Sequence, residues 1–100
     1  VQCDRDADWS RGWIVFADPA DRRQPATSAA VLQRFEALPR GLRALGTAGR
    51  PVARFLPDGR AWGSNLTIRV CGSDSRLLGR IVVSNSGRAR SERPGGTVAC

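Results

Sequence analysis

Hydrophobic and polar residues alternate over several short stretches of the chain, and turn-forming residues separate these stretches. In residues 66–72, apolar side chains at every second position alternate with Thr67, Arg69 and Cys71, which is the period of a strand with one buried face. Three further segments have a similar character: 12–18, 52–62 with a turn at 57–59, and 77–83. The pattern therefore predicts a mainly β protein whose short strands are joined by turns.

The segment that begins at residue 77 leads into the turn-forming cluster Asn85-Ser86-Gly87. This turn would return residues 88–90 as a short partner strand, and Gly87 permits a tight turn because it has no Cβ atom. Arg88 and Arg90 lie two positions apart in an extended segment, so their side chains project from the same face. The sequence thus predicts a basic hairpin at this point of the chain.

Residues 27–41 are ambiguous. Ser28 followed by apolar residues at 31, 32, 35 and 38 and by Pro39 fits a capped helix, and this pattern alone predicts one. Residues 19–26 and 91–99 are rich in Pro, Arg, Gly and Ser, which indicates loops.

Charge is distributed unevenly along the chain. All 16 basic residues are arginine, 9 residues are acidic, and the net charge is +7. Two arginines against five aspartates give residues 1–21 a net charge of −3, whereas five arginines against Glu92 give residues 76–100 a net charge of +4. A coding sequence rich in G and C also explains the absence of lysine, but the polarity along the chain favours a polyanionic partner for its C-terminal part.

The sequence contains no His, Tyr or Lys, so the commonest general bases and every Ser-His or Cys-His pair are missing. We therefore expect no enzymatic activity and no cofactor. Asp4, Asp6 and Asp8 alternate as calcium ligands would, but they lack the glycine turn and the bidentate Glu of a calcium loop, and we interpret them as a solvated acidic segment. We expect Trp9 and Trp13 to pack against the sheet rather than to stack on nucleic-acid bases.

Three cysteines, Cys3, Cys71 and Cys100, lack close CxxC spacing, and this argues against a zinc site or a thioredoxin-like site. A disulfide between Cys100 and a strand cysteine is expected, which implies an oxidising compartment and leaves one cysteine over. No stretch has the roughly 20 apolar residues of a membrane span.

Several blocks occur in a characteristic order. They are W-x-x-GWIVF-x-D at residues 9–18, V-x-RF-x-x-DGR at 52–60, TIRVC at 67–71, GR-x-IVV-S-x-SGR-x-R at 79–90, and Cys100. In this order the chain resembles, over essentially all of its length, the soluble part of a minor pseudopilin of the GspH/FimT family. Its basic end is most similar to FimT.

The resemblance implies a single domain over residues 1–100, built of packed antiparallel sheets, with 84–100 as a basic C-terminal hairpin and tail. Family members have a leader and a long hydrophobic N-terminal helix before the first strand, which would make the whole protein α+β. By this comparison, residues 1–3 belong to a strand, the anchoring helix is missing here, and an apolar sheet face is partly bare. The resemblance also recasts residues 28–38 as a strand.

The function implied is that of a DNA-binding minor pilin of the type IV pilus, which binds double-stranded DNA without sequence preference during uptake in natural transformation. The family's GRxR motif matches Gly87, Arg88, Ala89 and Arg90, and Arg80, Arg93 and Arg76 would widen the patch. The implied partners are double-stranded DNA, other minor pilins, the major pilin, and the inner membrane through the missing helix. The implied location is the inner membrane and periplasm, and after assembly the pilus at the cell surface.

Two alternatives stay open at this point. The first is a structural minor pseudopilin that primes assembly of a type IV pilus or a type II secretion pseudopilus without touching DNA. The second concerns the disulfide: the resemblance favours Cys71 with Cys100, which would hold the tail near the motif, and Cys3 with Cys71 is the other pairing.

Overall fold

The computed structural model describes residues 7–47, 50–63 and 65–100, and they form two antiparallel sheets. The strands are β1 (Trp13–Phe16), β2 (Val31–Phe35), β3 (Arg43–Leu45), β4 (Leu66–Cys71), β5 (Leu77–Val83) and β6 (Ala89–Glu92). One short 3₁₀ helix covers Ser28–Ala30, and within the described residues no helix has the length and hydropathy needed to cross a membrane. The mainly β prediction is confirmed, whereas the expected strand at residues 1–3 lies outside the described residues.

The smaller sheet pairs β1 with β2, and its register places Trp13 opposite Phe35 and Ile14 opposite Arg34. The helix that the residue pattern predicted over 28–38 is therefore wrong, and the strand implied by the family resemblance is confirmed over Val31–Phe35, whereas Ser28–Ala30 form the 3₁₀ helix. The physical reason is that the apolar residues of this segment do not share a buried face. Leu32, for example, is 69% exposed. Pairing with β1 satisfies the backbone and stacks Phe35 on Trp13, whereas a lone short helix is only marginally stable.

The larger sheet has the strand order β3-β4-β5-β6, with every neighbouring pair antiparallel. Residues 7–10 run along β3, where the N–H of Trp9 donates to the carbonyl of Ala44 at 2.8 Å. Most of the buried apolar side chains of the described residues lie on one face of this sheet, as the register of β3, β4 and β5 shows. These side chains are Ala44, Leu66, Leu77 and Val83. This small core positions β4 and β5, on which β6 pairs in turn. These three strands carry Arg69, Arg80 and Arg90.

Two expectations about irregular segments need correction. Residues 52–62 form the predicted turn but not the two strands, because only Phe55 and Ala61 make a bridge and Phe55 is 54% exposed, so little burial favours longer pairing. The loop predicted to begin at residue 91 begins at 93 instead, because Ser91 pairs with Ile81 and Glu92 pairs with Arg80.

Candidate functional site

The turn between β5 and β6 has the geometry that the sequence predicted. The N–H of Ser84 donates to the carbonyl of Arg88 at 2.8 Å, and the N–H of Gly87 donates to the carbonyl of Ser84 at 2.9 Å. Gly87 has a φ of +88°, a conformation that glycine adopts without a steric penalty. The turn therefore closes tightly and presents Arg88 directly at the start of the returning strand.

A second turn packs against this one. The N–H of Ala61 donates to the carbonyl of Asn85 at 3.1 Å, which ties residues 57–61 to the β5–β6 turn. A Cβ atom at position 87 would collide with the carbonyl oxygen of Gly59 and would lie 3.5 Å from the Cα atom of Arg60. Gly87 thus serves the fold twice, because it adopts the turn conformation and also admits the backbone of the second turn.

The sheet register aligns four arginines on one face. Arg90 lies opposite Val82, Arg80 lies opposite both Glu92 and Arg69, and Arg88 continues the register opposite Ser84. Directly opposed side chains stand about 5 Å apart at Cβ, diagonal neighbours about 7–8 Å, and residues two apart on a strand about 7 Å. The four side chains form a diagonal row across three strands, which we call the arginine row: Arg69, Arg80, Arg90 and Arg88.

The arginine row is weakly neutralised. Arg90 lies 3.5 Å from a carboxylate oxygen of Glu92 in an exposed pair, and such surface pairs contribute only about 0–1 kcal/mol. No acidic side chain of the described residues lies within ion-pair distance of Arg69, Arg80 or Arg88. The direct opposition of Arg69 and Arg80 is unfavourable for stability, since like charges repel across a strand pair.

The remaining predicted site residues lie apart from the arginine row. Arg93 is exposed and follows the last residue of β6, where the register has ended. Arg76 lies just before β5, bridges Ala99 and sits 3.6 Å from Asp74. It is four residues from Arg80, or roughly 13 Å along the chain, and farther from Arg88 and Arg90. Among the predicted residues, the structure places Arg80, Arg88 and Arg90 on one face, with Arg88 next to Gly87, and it leaves Arg76 at the far end of β5.

Arg69 was not among the predicted site residues. The signal for it was present in the alternation of residues 66–72, where it occupies the polar phase of the strand. Assigning it to the basic surface requires the pairing of β4 with β5, and this pairing is visible only in the fold.

Cys71 and Cys100 form a disulfide with Cα atoms 5.8 Å apart, which confirms the pairing favoured above. The tail also pairs with the sheet, because the N–H of Leu77 donates to the carbonyl of Val98 at 2.7 Å and the N–H of Cys100 donates to the carbonyl of Ser75 at 2.9 Å. The expectation that the bridge holds the tail near the arginine turn is wrong. β6 runs away from that turn, so the tail is pinned at the opposite end of β5, and Cys3 lies outside the described residues.

An apolar groove of about 1180 Å³ lies between the smaller sheet and residues 51–57. Trp13 stacks on Phe35 with ring centroids 5.1 Å apart, and Trp9 meets Trp13 edge-on at 6.5 Å, so both tryptophans pack in the way the sequence predicted. Val15 and Phe55 also line the groove and are 45% and 54% exposed. Exposed apolar surface is one kind of surface by which proteins contact partners.

One wall of the groove is held by an ion pair. A guanidinium nitrogen of Arg54 lies 2.9 Å from a carboxylate oxygen of Asp18 and 3.0 Å from the carbonyl of the same residue. Burial alone would raise the pKa of Asp18, but hydrogen bonds from the N–H groups of Arg22 and Arg23, together with Arg54, lower it below its ordinary value. Asp18 is therefore ionised at neutral pH and links residues 18–23 to the segment that carries Arg54.

A family model described as type II transport protein GspH matches residues 1–87. The match ends at Gly87, so the arginine row falls partly within it and partly beyond it. No curated protein and no solved structure matches the chain.

Within the described residues, no group of three or more His, Cys, Asp or Glu side chains is arranged to hold a metal ion.

Proposed function

The chain belongs to the GspH family of type II transport proteins, and we propose that it also binds double-stranded DNA. As a member of this family it is a minor pseudopilin of the cell envelope, and it associates with other pilins or pseudopilins. On this proposal it acts as a minor pilin of the type IV pilus in DNA uptake. Its arginine row contacts the phosphate backbone without reading the base sequence. The proposed activity is binding, and it requires no catalytic group or cofactor.

The observation that carries the proposal is the arginine row itself. A DNA duplex has one negative charge for about every 1.7 Å of its axis, so arginines that are about 5–8 Å from their neighbours on one sheet face meet several phosphates at once. The forked guanidinium matches the geometry of phosphate oxygens. Arg69 lies directly opposite Arg80, so their two positive charges repel each other. A bound polyanion would reduce this repulsion.

The mode of binding follows from the chemistry of the row. Contacts to phosphates fix a protein on the duplex but carry no sequence information. We therefore expect equal affinity for duplexes of unrelated sequence. We also expect the logarithm of the binding constant to fall with the logarithm of the salt concentration, with a slope of about 0.9 for each phosphate neutralised.

The test is a titration of two labelled duplexes of unrelated sequence, repeated over a series of salt concentrations. The wild type is compared with the double variant Arg88→Gln, Arg90→Gln, and with a matched control, Arg34→Gln, Arg40→Gln, which removes two exposed charges elsewhere. We expect the first variant to lose affinity and to have a salt slope lower by about 2, since two contacts are lost. Equal losses in both variants, or no binding by the wild type, would contradict the proposal.

A purely structural pseudopilin is the second candidate, and the apolar groove is the observation that favours it. In that case the arginines are an ordinary solvated surface, and the groove carries the function by binding neighbouring subunits. The substitution Val15→Asp puts a charge into the groove and should impair assembly of the pilus or pseudopilus, because burying a charge at an interface is costly. If this variant fails in assembly while the arginine variant behaves as wild type in both assembly and DNA binding, the structural role alone is correct.

A further inference from the structure

The turn at residues 57–60 contains a basic residue, Arg60, whose backbone lies beside the β5–β6 turn. Arg60 follows Gly59, whose carbonyl oxygen occupies the space beside Gly87, so the backbone of Arg60 is fixed next to the residue that precedes Arg88. The hydrogen bond between Ala61 and Asn85 holds this arrangement from the other side. The side chain of Arg60 is 67% exposed, which makes it accessible to a ligand on the basic hairpin.

Asp58 holds Arg60 in a fixed position. One carboxylate oxygen accepts the N–H of Arg60 at 3.1 Å, and the other accepts the side-chain Nε–H at 2.8 Å. The backbone N–H of Arg60, more than any other group, lowers the pKa of Asp58, so this carboxylate is ionised at neutral pH. The contact uses one of the five N–H donors of the guanidinium and leaves the others for a phosphate.

We propose that this second turn is part of the DNA-binding surface, with Arg60 contacting a phosphate of the duplex that the arginine row binds and Asp58 weakening that contact as an internal competitor. This inference rests on the proposed function. It adds a residue that is remote in sequence from the hairpin, and it gives Asp58 and Arg60 opposite effects on affinity.

The chain contains a matched control for both residues. Asp74 and Arg76 form the same local arrangement in the turn between β4 and β5, where the N–H of Arg76 donates to one oxygen of Asp74 at 3.1 Å and Nε lies 3.6 Å from the other. Both pairs are exposed. The Asp74–Arg76 pair, however, lies at the other end of β5, so the same changes of charge are made there at a greater distance from the hairpin.

The experiment measures the affinity of the full chain for one labelled duplex at several salt concentrations, using Arg60→Gln, Asp58→Asn, Arg76→Gln and Asp74→Asn. We expect Arg60→Gln to weaken binding about three- to fivefold and to lower the salt slope by about 0.9, because one phosphate contact is lost. Asp58→Asn should strengthen binding by a similar factor. The affinities of the variants at 74 and 76 should stay within about twofold of the wild-type affinity. Their distance from the hairpin exceeds the Debye length, which is about 10 Å at 0.1 M salt.

The outcomes separate this inference from the proposed function. If Arg88→Gln, Arg90→Gln weakens binding but Arg60→Gln behaves like Arg76→Gln, the second turn takes no part and only this inference falls. If the wild type does not bind the duplex, both fall. Thermal unfolding of each variant shows whether the turn is intact. Should Arg60→Gln prove less stable than Arg76→Gln, Arg60→Lys, which keeps the charge, must restore most of the affinity, or the inference is wrong.

Discussion

A methyl group added at Gly87 should destabilise the protein more than the same methyl group at Gly59. The two glycines have nearly equal φ values, +88° and +90°. Alanine at either position would therefore adopt a left-handed conformation, which costs about 1–2 kcal/mol for a residue with a Cβ atom. The new Cβ atom meets nothing within 4 Å at position 59. At position 87 it collides with the carbonyl of Gly59 and pushes the two turns apart.

The size of the difference follows from the contacts that are lost. Separating the turns breaks the hydrogen bond between Ala61 and Asn85, which contributes about 0.5–1.5 kcal/mol, and it loosens the packing of Gly87 on the second turn. We expect Gly87→Ala to cost about 2–4 kcal/mol and Gly59→Ala about 1–2 kcal/mol. Both changes restrict the unfolded chain in the same way, so this effect cancels in the difference between them.

Urea unfolding followed by circular dichroism gives the free energy of unfolding of both variants, and thermal unfolding followed by the same signal gives their midpoint temperatures. A difference of about 1–2 kcal/mol corresponds to a midpoint temperature for Gly87→Ala at least about 4–8 °C lower than for Gly59→Ala in a domain of this size. Equal stability of the two variants would show that Gly87 serves only the turn conformation, and it would refute the packing of the second turn on the hairpin.

Three other predictions address separate parts of the molecule. Replacing Cys71 and Cys100 by serine opens a bridge between residues 29 positions apart, and by the chain-entropy model it should lower the free energy of unfolding by about 3–4 kcal/mol, measured by urea unfolding. Because the pKa of Asp18 is lowered in the folded state, its stabilising contribution is present above its unfolded pKa of about 3.9 and is lost as the pH falls through the folded value. The stability gap between the wild type and Asp18→Asn should therefore be constant near neutral pH and narrow in acid. Glu92→Gln removes the carboxylate beside Arg90 and should strengthen DNA binding, and unchanged affinity would show that the pair is irrelevant to the site.

Local patterns were sufficient for the strands whose alternation reflects a buried face. β4 follows this rule, β5 was predicted as an apolar run that ends at a turn, and the turn chemistry at 85–87 correctly predicted the hairpin. The segment 28–38 was different, because its helical spacing of apolar residues does not correspond to a buried helical face. Its true partner, β1, lies far away in sequence, and only the resemblance to a family indicated a strand there.

The candidate site was predicted in part for a similar reason. That Arg88 and Arg90 share a face follows from the period of a strand. Adding Arg80 and Arg69 to them requires the registers of two strand pairs. The contact of Gly59 with Gly87 joins turns that are 28 positions apart, and nothing in either local sequence encodes it. Arg76 was grouped with the hairpin because it is close in sequence, although the length of β5 separates them.

The disulfide has a consequence for the integrity of the basic hairpin. Since Cys71 and Cys100 are joined, residues 71–100 form a covalently closed ring, and the arginine turn is part of its circumference. A trypsin-like protease that cuts this ring once opens it but releases no fragment. The arginines of the ring that are not followed by proline are Arg76, Arg80, Arg88 and Arg90. A singly nicked molecule would run as one species without reducing agent and as two with it, and the hairpin is shed only after a second cut.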